Sequence, residues 1–188
     1  MSKSWIQTYS GCAFDPLNPD PMTIMIEDIA RALSRACRFT GHTVEHYSVA
    51  QHSVLASFLI TDLPEERDLG GADAIRALAR AALLHDASEA YLVDVPAPIK
   101  PHILGYAEIE RKVMGAIGQK FCVPPEHFDH PLIKLVDRRM LATEKRDVMG
   151  PAPRPWGALL EPFNHIIRPQ PAETARESFL LRFKELFS

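Results

Sequence analysis

The chain has 188 residues, 46% of them apolar, which suits one domain with its own core and excludes a disordered chain. Lys and Arg number 21 against 24 Asp and Glu, and the net charge of -3 lacks the basic excess of a generic nucleic-acid or anionic-membrane binder. With no run near the roughly 20 apolar residues that span a bilayer and no apolar stretch behind Met1, the expectation is a cytoplasmic protein.

Residues 1–23 carry Asp15-Pro16-Leu17-Asn18-Pro19-Asp20-Pro21 and read as a turn-rich arm with short β pieces around Trp5 to Tyr9. Residues 24–188 read as one all-α unit, a helical bundle. Apolar residues at helical spacing predict a first helix over 24–37, which Thr23 is placed to cap, and a second over about 48–60. A polar link over 61–71 leads to a third helix over 72–91, which Pro96, Pro98 and Pro101 prevent from continuing. Two more fit 106–121 and 130–149, a Pro-rich loop covers 151–171, and 173–187 is a closing amphipathic helix. That last helix most simply packs on the core, and it can also build a dimer interface. Cys12, Cys37 and Cys122 show no CxxC spacing and read as reduced and mostly packed.

Three helices each place a ligand-type side chain on an apolar stripe. His52 shares the stripe of Val49, Leu55, Ala56 and Leu59. The face Ile75, Leu78, Ala79 and Ala82 continues into His85, Asp86 and Glu89. Asp137 follows Ile133 by four residues and precedes Met140 by three. A lone inward His is more often a satisfied core residue, but two uncompensated inward carboxylates would each cost several kcal/mol, and a divalent cation balances Asp86 and Asp137 while giving the imidazoles a partner. Two nitrogens and two oxygens suit one Mn, Fe, Co, Ni or Zn ion better than calcium, with Mg also compatible.

His52, His85-Asp86 and Asp137 form the pattern H…HD…D, and here the chain resembles the HD-domain metal-dependent phosphohydrolases. The stretches Tyr47-Ser48-Val49-Ala50-Gln51-His52-Ser53, Ala82-Leu83-Leu84-His85-Asp86-Ala87-Ser88-Glu89-Ala90 and Asp94-Val95-Pro96-Ala97-Pro98-Ile99-Lys100 are similar to the small bacterial and phage branch that contains the 5'-deoxynucleotidases. The resemblance implies an all-α fold, one divalent metal on His52, His85, Asp86 and Asp137, and a homodimer. A phosphate group needs further cations, and Arg38 and Lys100 are the candidates, Arg38 resembling the family's phosphate-binding Arg. Glu89 is placed to hydrogen-bond a water or the leaving oxygen, and Asp94 begins the loop after the helix; the matching family residues orient water or act as acid and base. The expected activity is removal of the 5'-phosphate from (deoxy)nucleoside monophosphates, a small-molecule substrate with no nucleic-acid polymer and no membrane as partner. The alternatives are dNTP triphosphohydrolysis and a non-catalytic nucleotide- or metal-binding module. Trp5, Phe39 and Trp156 are the aromatic candidates for a base, although packing is the better default for each.

Overall fold

The computed structural model describes residues 4–63 and 71–188 and is all-α apart from one two-stranded hairpin. The link predicted over 61–71 lies largely outside the described residues. The hairpin strands β1 (Ile6–Gln7) and β2 (Ala13–Phe14) pair antiparallel with Ile6 opposite Phe14. The helices are α1 (Ile26–Arg35), α2 (Val49–Leu59), α3 (Ala72–Leu84), α4 (Glu89–Leu92), α5 (Tyr106–Phe121), α6 (Pro125–Phe128), α7 (Pro131–Asp147) and α8 (Ala172–Phe187). Among the described residues no helix is long and apolar enough to cross a membrane.

α2 is the centre of the bundle, packed against α1, α3, α7 and α8. Its residues are apolar or small on nearly every side, so Val49, Ala50, Ser53, Ala56 and Ser57 are all buried and Phe58 alone on this helix is exposed. Ser48 begins it, accepting the backbone N–H of Gln51 at 3.2 Å, as a Ser at an N-cap does. The chain before α2 runs beside the chain after α1: Arg38 N–H donates to the Tyr47 carbonyl at 2.9 Å and Val49 N–H to the Ala36 carbonyl at 3.0 Å. That short ladder places Arg38 next to the first turns of α2.

Three expectations need correction. Thr23 does not cap α1, whose N-cap Met25 makes no side-chain cap bond; Thr23 ends a separate 3-10 turn (Pro21–Thr23) that Asp20 caps through Met22 N–H at 2.9 Å. The third helix is not continuous to 91: α3 ends at Leu84, residues 85–88 form tight turns, and α4 starts afresh at Glu89. There the bonds shorten to i→i+3, Ala87 N–H to Leu84 and Glu89 N–H to Asp86, each at 3.0 Å. His130 lies just outside α7 and caps it, its Nδ1 accepting from Leu132 N–H at 3.2 Å ahead of Pro131 in the first turn. Of the cysteines, Cys122 is exposed, at the left-handed C-cap of α5.

Residues 4–23 are not peripheral to the core. Phe14 is wholly buried and its ring stacks on Tyr91 with centroids 4.0 Å apart. Asp28, buried on α1, accepts Ser10 N–H at 2.6 Å and the Ser10 hydroxyl at 2.8 Å, tying the hairpin turn down.

Candidate metal centre and its cavity

His52, His85 and Asp86 converge where α2 meets the end of α3, with one potential ligand atom from each lying within 4.8 Å of the others. His52 Nε2 is 3.3 Å from His85 Nε2 and 3.7 Å from Asp86 Oδ2, and His85 Nε2 is 3.3 Å from that same oxygen. Asp137, on α7, brings Oδ1 to 3.5 Å of His52 Nε2. It sits at the open side of the group, its side chain about half exposed, and is not part of the tight trio.

The hydrogen bonds on the far side of each ring decide what the near side offers. His85 Nδ1 is 2.7 Å from the Ala82 carbonyl and His52 Nδ1 is 2.6 Å from Glu144 Oε1. A carbonyl and a carboxylate only accept, so both Nδ1 atoms carry the proton. In the neutral form of each ring Nε2 is then a lone pair, aimed at the other ring and at a carboxylate oxygen, and it takes either a metal ion or a second proton. Such a set of convergent acceptors needs a positive charge between them, and its mix of imidazole and carboxylate fits a first-row divalent cation. The same demand acts on protons: burial disfavours a charged His85, yet Asp86, with Asp137 behind it, carries its pKa up to about 9. Asp86 goes the other way, its burial outweighed by His85, His52 and Arg38, which hold it well below the carboxylate range. The trio can hold a metal ion.

A cavity of about 680 Å³ opens beside this cluster, lined by Arg38, Asp86, Glu89, Asp94, Lys100 and Asp137 among others. Six of the eight residues predicted for the site therefore face one space, and His52 and His85 stand behind it. Arg38 is deep and shared: one terminal nitrogen is 3.4 Å from Asp86 Oδ2 and the other 3.1 Å from Glu144 Oε2. Burial works against its charge, but Glu144, Asp86 and Asp137 more than compensate and raise its pKa well above the ordinary value. Its Nε is buried without a hydrogen-bond partner, and so is Glu89 Oε2. Buried polar atoms are seldom left so, and these two belong to residues that line the same cavity.

Glu89 holds its proton through neutral pH: burial, then the charges of Asp86 and Asp94, push its carboxyl up to about 9. Asp94 is raised too, chiefly by burial. Lys100 lines the cavity but is not a free cation, since its ammonium lies 2.6 Å from Glu110 on α5. His42 joins the lining, whereas His46 instead bonds the Ser34 carbonyl at 3.1 Å. Phe39 and Trp156 form an aromatic wall there, centroids 5.9 Å apart, while Trp5 is exposed on the arm. Phe39 and Thr40 adopt left-handed conformations, φ 54° and 52°, in the turn that carries Arg38. Non-glycine residues held so cost of order 1–3 kcal/mol each and persist only where their surroundings impose them.

The residue most involved in the site, Glu144, was not among those expected from the sequence. It is wholly buried on α7 and bonds His52, Arg38 and the Tyr47 hydroxyl, the last at 3.1 Å. Burial opposes its ionisation, but Arg38 and His52 draw its pKa down to about 2.

No protein-family model matches the chain. It is 44% identical over 147 residues to the Escherichia coli protein titled "Uncharacterized protein YfdR", a match covering 77% of this chain and 72% of that protein. It is also 38% identical over 127 residues to an uncharacterized protein of Rhodobacter capsulatus, covering 66% of this chain and 61% of the relative. At that identity and coverage, the chain belongs to the family of the Escherichia coli protein YfdR.

Proposed function

We propose that this protein is a metal-dependent phosphohydrolase of the HD-domain type that removes the 5'-phosphate from nucleoside monophosphates. The observation that carries the reading is the pairing of a convergent acceptor cluster with two unpartnered buried polar atoms, Arg38 Nε and Glu89 Oε2, on residues that line one cavity. His52, His85 and Asp86, with Asp137 at the open side, would hold one divalent ion of the Mn, Fe, Co, Ni, Zn or Mg group. When bound, that ion supplies Lewis acidity at the phosphoryl group.

The chain's own residues account for the rest. Arg38, fixed by Asp86 and Glu144, lines the cavity and binds and orients the phosphate through N–H donors that these two carboxylates leave free. Water attacks phosphorus as the bond to the 5'-oxygen breaks; Glu89, whose burial favours the protonated form, gives its proton to the leaving oxygen, the water's two protons stay on the orthophosphate, and one of them then returns to Glu89. Asp94, which lines the same cavity and is less buried than Glu89, orients the attacking water. The monoester is favoured over a triphosphate by charge. The cation with Arg38 and Lys100 is matched by Asp86, Asp137, Glu144 and Glu110, so with no surplus positive charge a monoester bearing about two negative charges is opposed less than a tail bearing about four.

The test is phosphate release by purified protein from dAMP, dADP and dATP with Mn, Co, Zn or Mg, with orthophosphate and tripolyphosphate measured separately. Orthophosphate from dAMP is expected at the highest kcat/KM. Faster dATP cleavage releasing tripolyphosphate would make the protein a triphosphohydrolase. Metal and nucleotide binding with no turnover would make it a binding module.

A further inference from the structure

Glu144 belongs to neither the acceptor trio nor the cavity lining, yet it touches both halves of the site. Resting on the metal reading above, we infer that Glu144 is a positioning residue that makes His52 a ligand and couples the cation site to the phosphate-binding Arg38. Oε1 receives His52 Nδ1 at 2.6 Å and the Tyr47 hydroxyl at 3.1 Å, while Oε2 receives Arg38 at 3.1 Å. Both oxygens are used, and the partners come from three places: the turn after α1, the residue before the α2 cap, and α2 itself.

The geometry leaves His52 one useful tautomer. With its proton on Nδ1 facing Glu144, Nε2 is bare toward His85 at 3.3 Å, Asp137 at 3.5 Å and Asp86 at 3.7 Å. With the proton on Nε2, two lone-pair atoms would face each other at 2.6 Å inside the core, and no lone pair would point at the cation site. The other carboxylate oxygen holds the guanidinium in register with the same centre. A core carboxylate that merely satisfied Tyr47 would need neither contact. Partners of this kind typically contribute 10- to 100-fold to metal affinity.

Glu144→Gln keeps the shape of the side chain and removes its charge. Its dissociation constant for Co or Mn, measured by titration calorimetry beside the wild type, is expected to rise about 10- to 100-fold, and its KM for dAMP is expected to rise as Arg38 loosens. Tyr47→Phe, which removes only the third hydrogen bond to Glu144, should leave the metal affinity within about twofold while lowering the unfolding midpoint by a few degrees. Independently of any variant, long-range proton–nitrogen NMR of the wild type, metal-free and zinc-loaded, should show the His52 proton on Nδ1 in both. A Glu144→Gln protein that binds metal as tightly as wild type, or a neutral His52 whose single proton sits on Nε2, overturns the inference alone. A wild type that binds none of these metals overturns the metal reading and the inference with it.

Discussion

Replacing Glu89 by Gln should stabilise the metal-free protein at alkaline pH even as it destroys activity. In the folded chain the Glu89 carboxyl titrates near 9 rather than at its ordinary 4.5, because burial and then the charges of Asp86 and Asp94 disfavour the anion. Between those two values the folded state keeps a proton that the unfolded state has released. Stability therefore falls as pH rises, by at most about 1.4 kcal/mol per pH unit for one such group. Below pH 4.5 both states are protonated and the effect vanishes. Gln occupies the same space and does not titrate, so the difference between wild type and Glu89→Gln reports this group together with its coupling to His85 and Asp86. From pH 6 to pH 8 the wild type should lose up to about 2 to 3 kcal/mol more than the variant. For a chain of this length that is roughly 5–10 °C in Tm. The assay is thermal unfolding in EDTA at half-unit pH steps. Added Co or Mn should shrink the difference, because a nearby cation favours the ionised carboxylate. Turnover of the metal-loaded variant should fall by about 10² to 10⁴-fold with metal still bound. Parallel wild-type and variant curves across pH 6–8 in EDTA would refute the assignment of a buried, protonated Glu89.

Two further outcomes test other parts of the molecule. Arg38→Lys loses the planar fork that spans Asp86 and Glu144, so kcat/KM for dAMP should drop about 10- to 100-fold, mainly through KM; a change within twofold removes Arg38 from substrate binding. Phe14→Ala should cost about 3–5 kcal/mol in urea denaturation, since its ring is fully buried against Tyr91, and a cost below about 1 kcal/mol would show the hairpin to be separable from the core.

The all-α architecture and most of the helices were legible because a 3.6-residue period of apolar side chains states both the element and its inward face. His52, Asp86 and Asp137 stood out for the same reason: each interrupts an apolar stripe, and an interruption of that kind has an energetic cost that demands an explanation. The places where the period misled are those without local punctuation. Residues 85–88 leave the helix with no Gly or Pro to mark the break, and Phe39 and Thr40 take left-handed backbone without being glycine. Phe14 stands alone between turn residues, so no stripe announced that it enters the core.

Glu144 is the more instructive miss, because its signal was present. It follows Met140 by four residues and Asp137 by seven, on the stripe that already identified Asp137. What concealed it is its neighbourhood: in Thr143-Glu144-Lys145-Arg146, a carboxylate beside two cations has the look of a solvated ion pair on a helix surface. The partners that make its burial tolerable are nowhere near in the chain, with His52 92 residues away, Tyr47 97 and Arg38 106. A buried acid is affordable only where its counter-charges converge, and helical spacing specifies a face without specifying what another helix brings to it. The inward imidazoles and carboxylates of a cluster like this can therefore be read from stripes one helix at a time, while a buried carboxylate that bonds several of them emerges only when the helices are packed together.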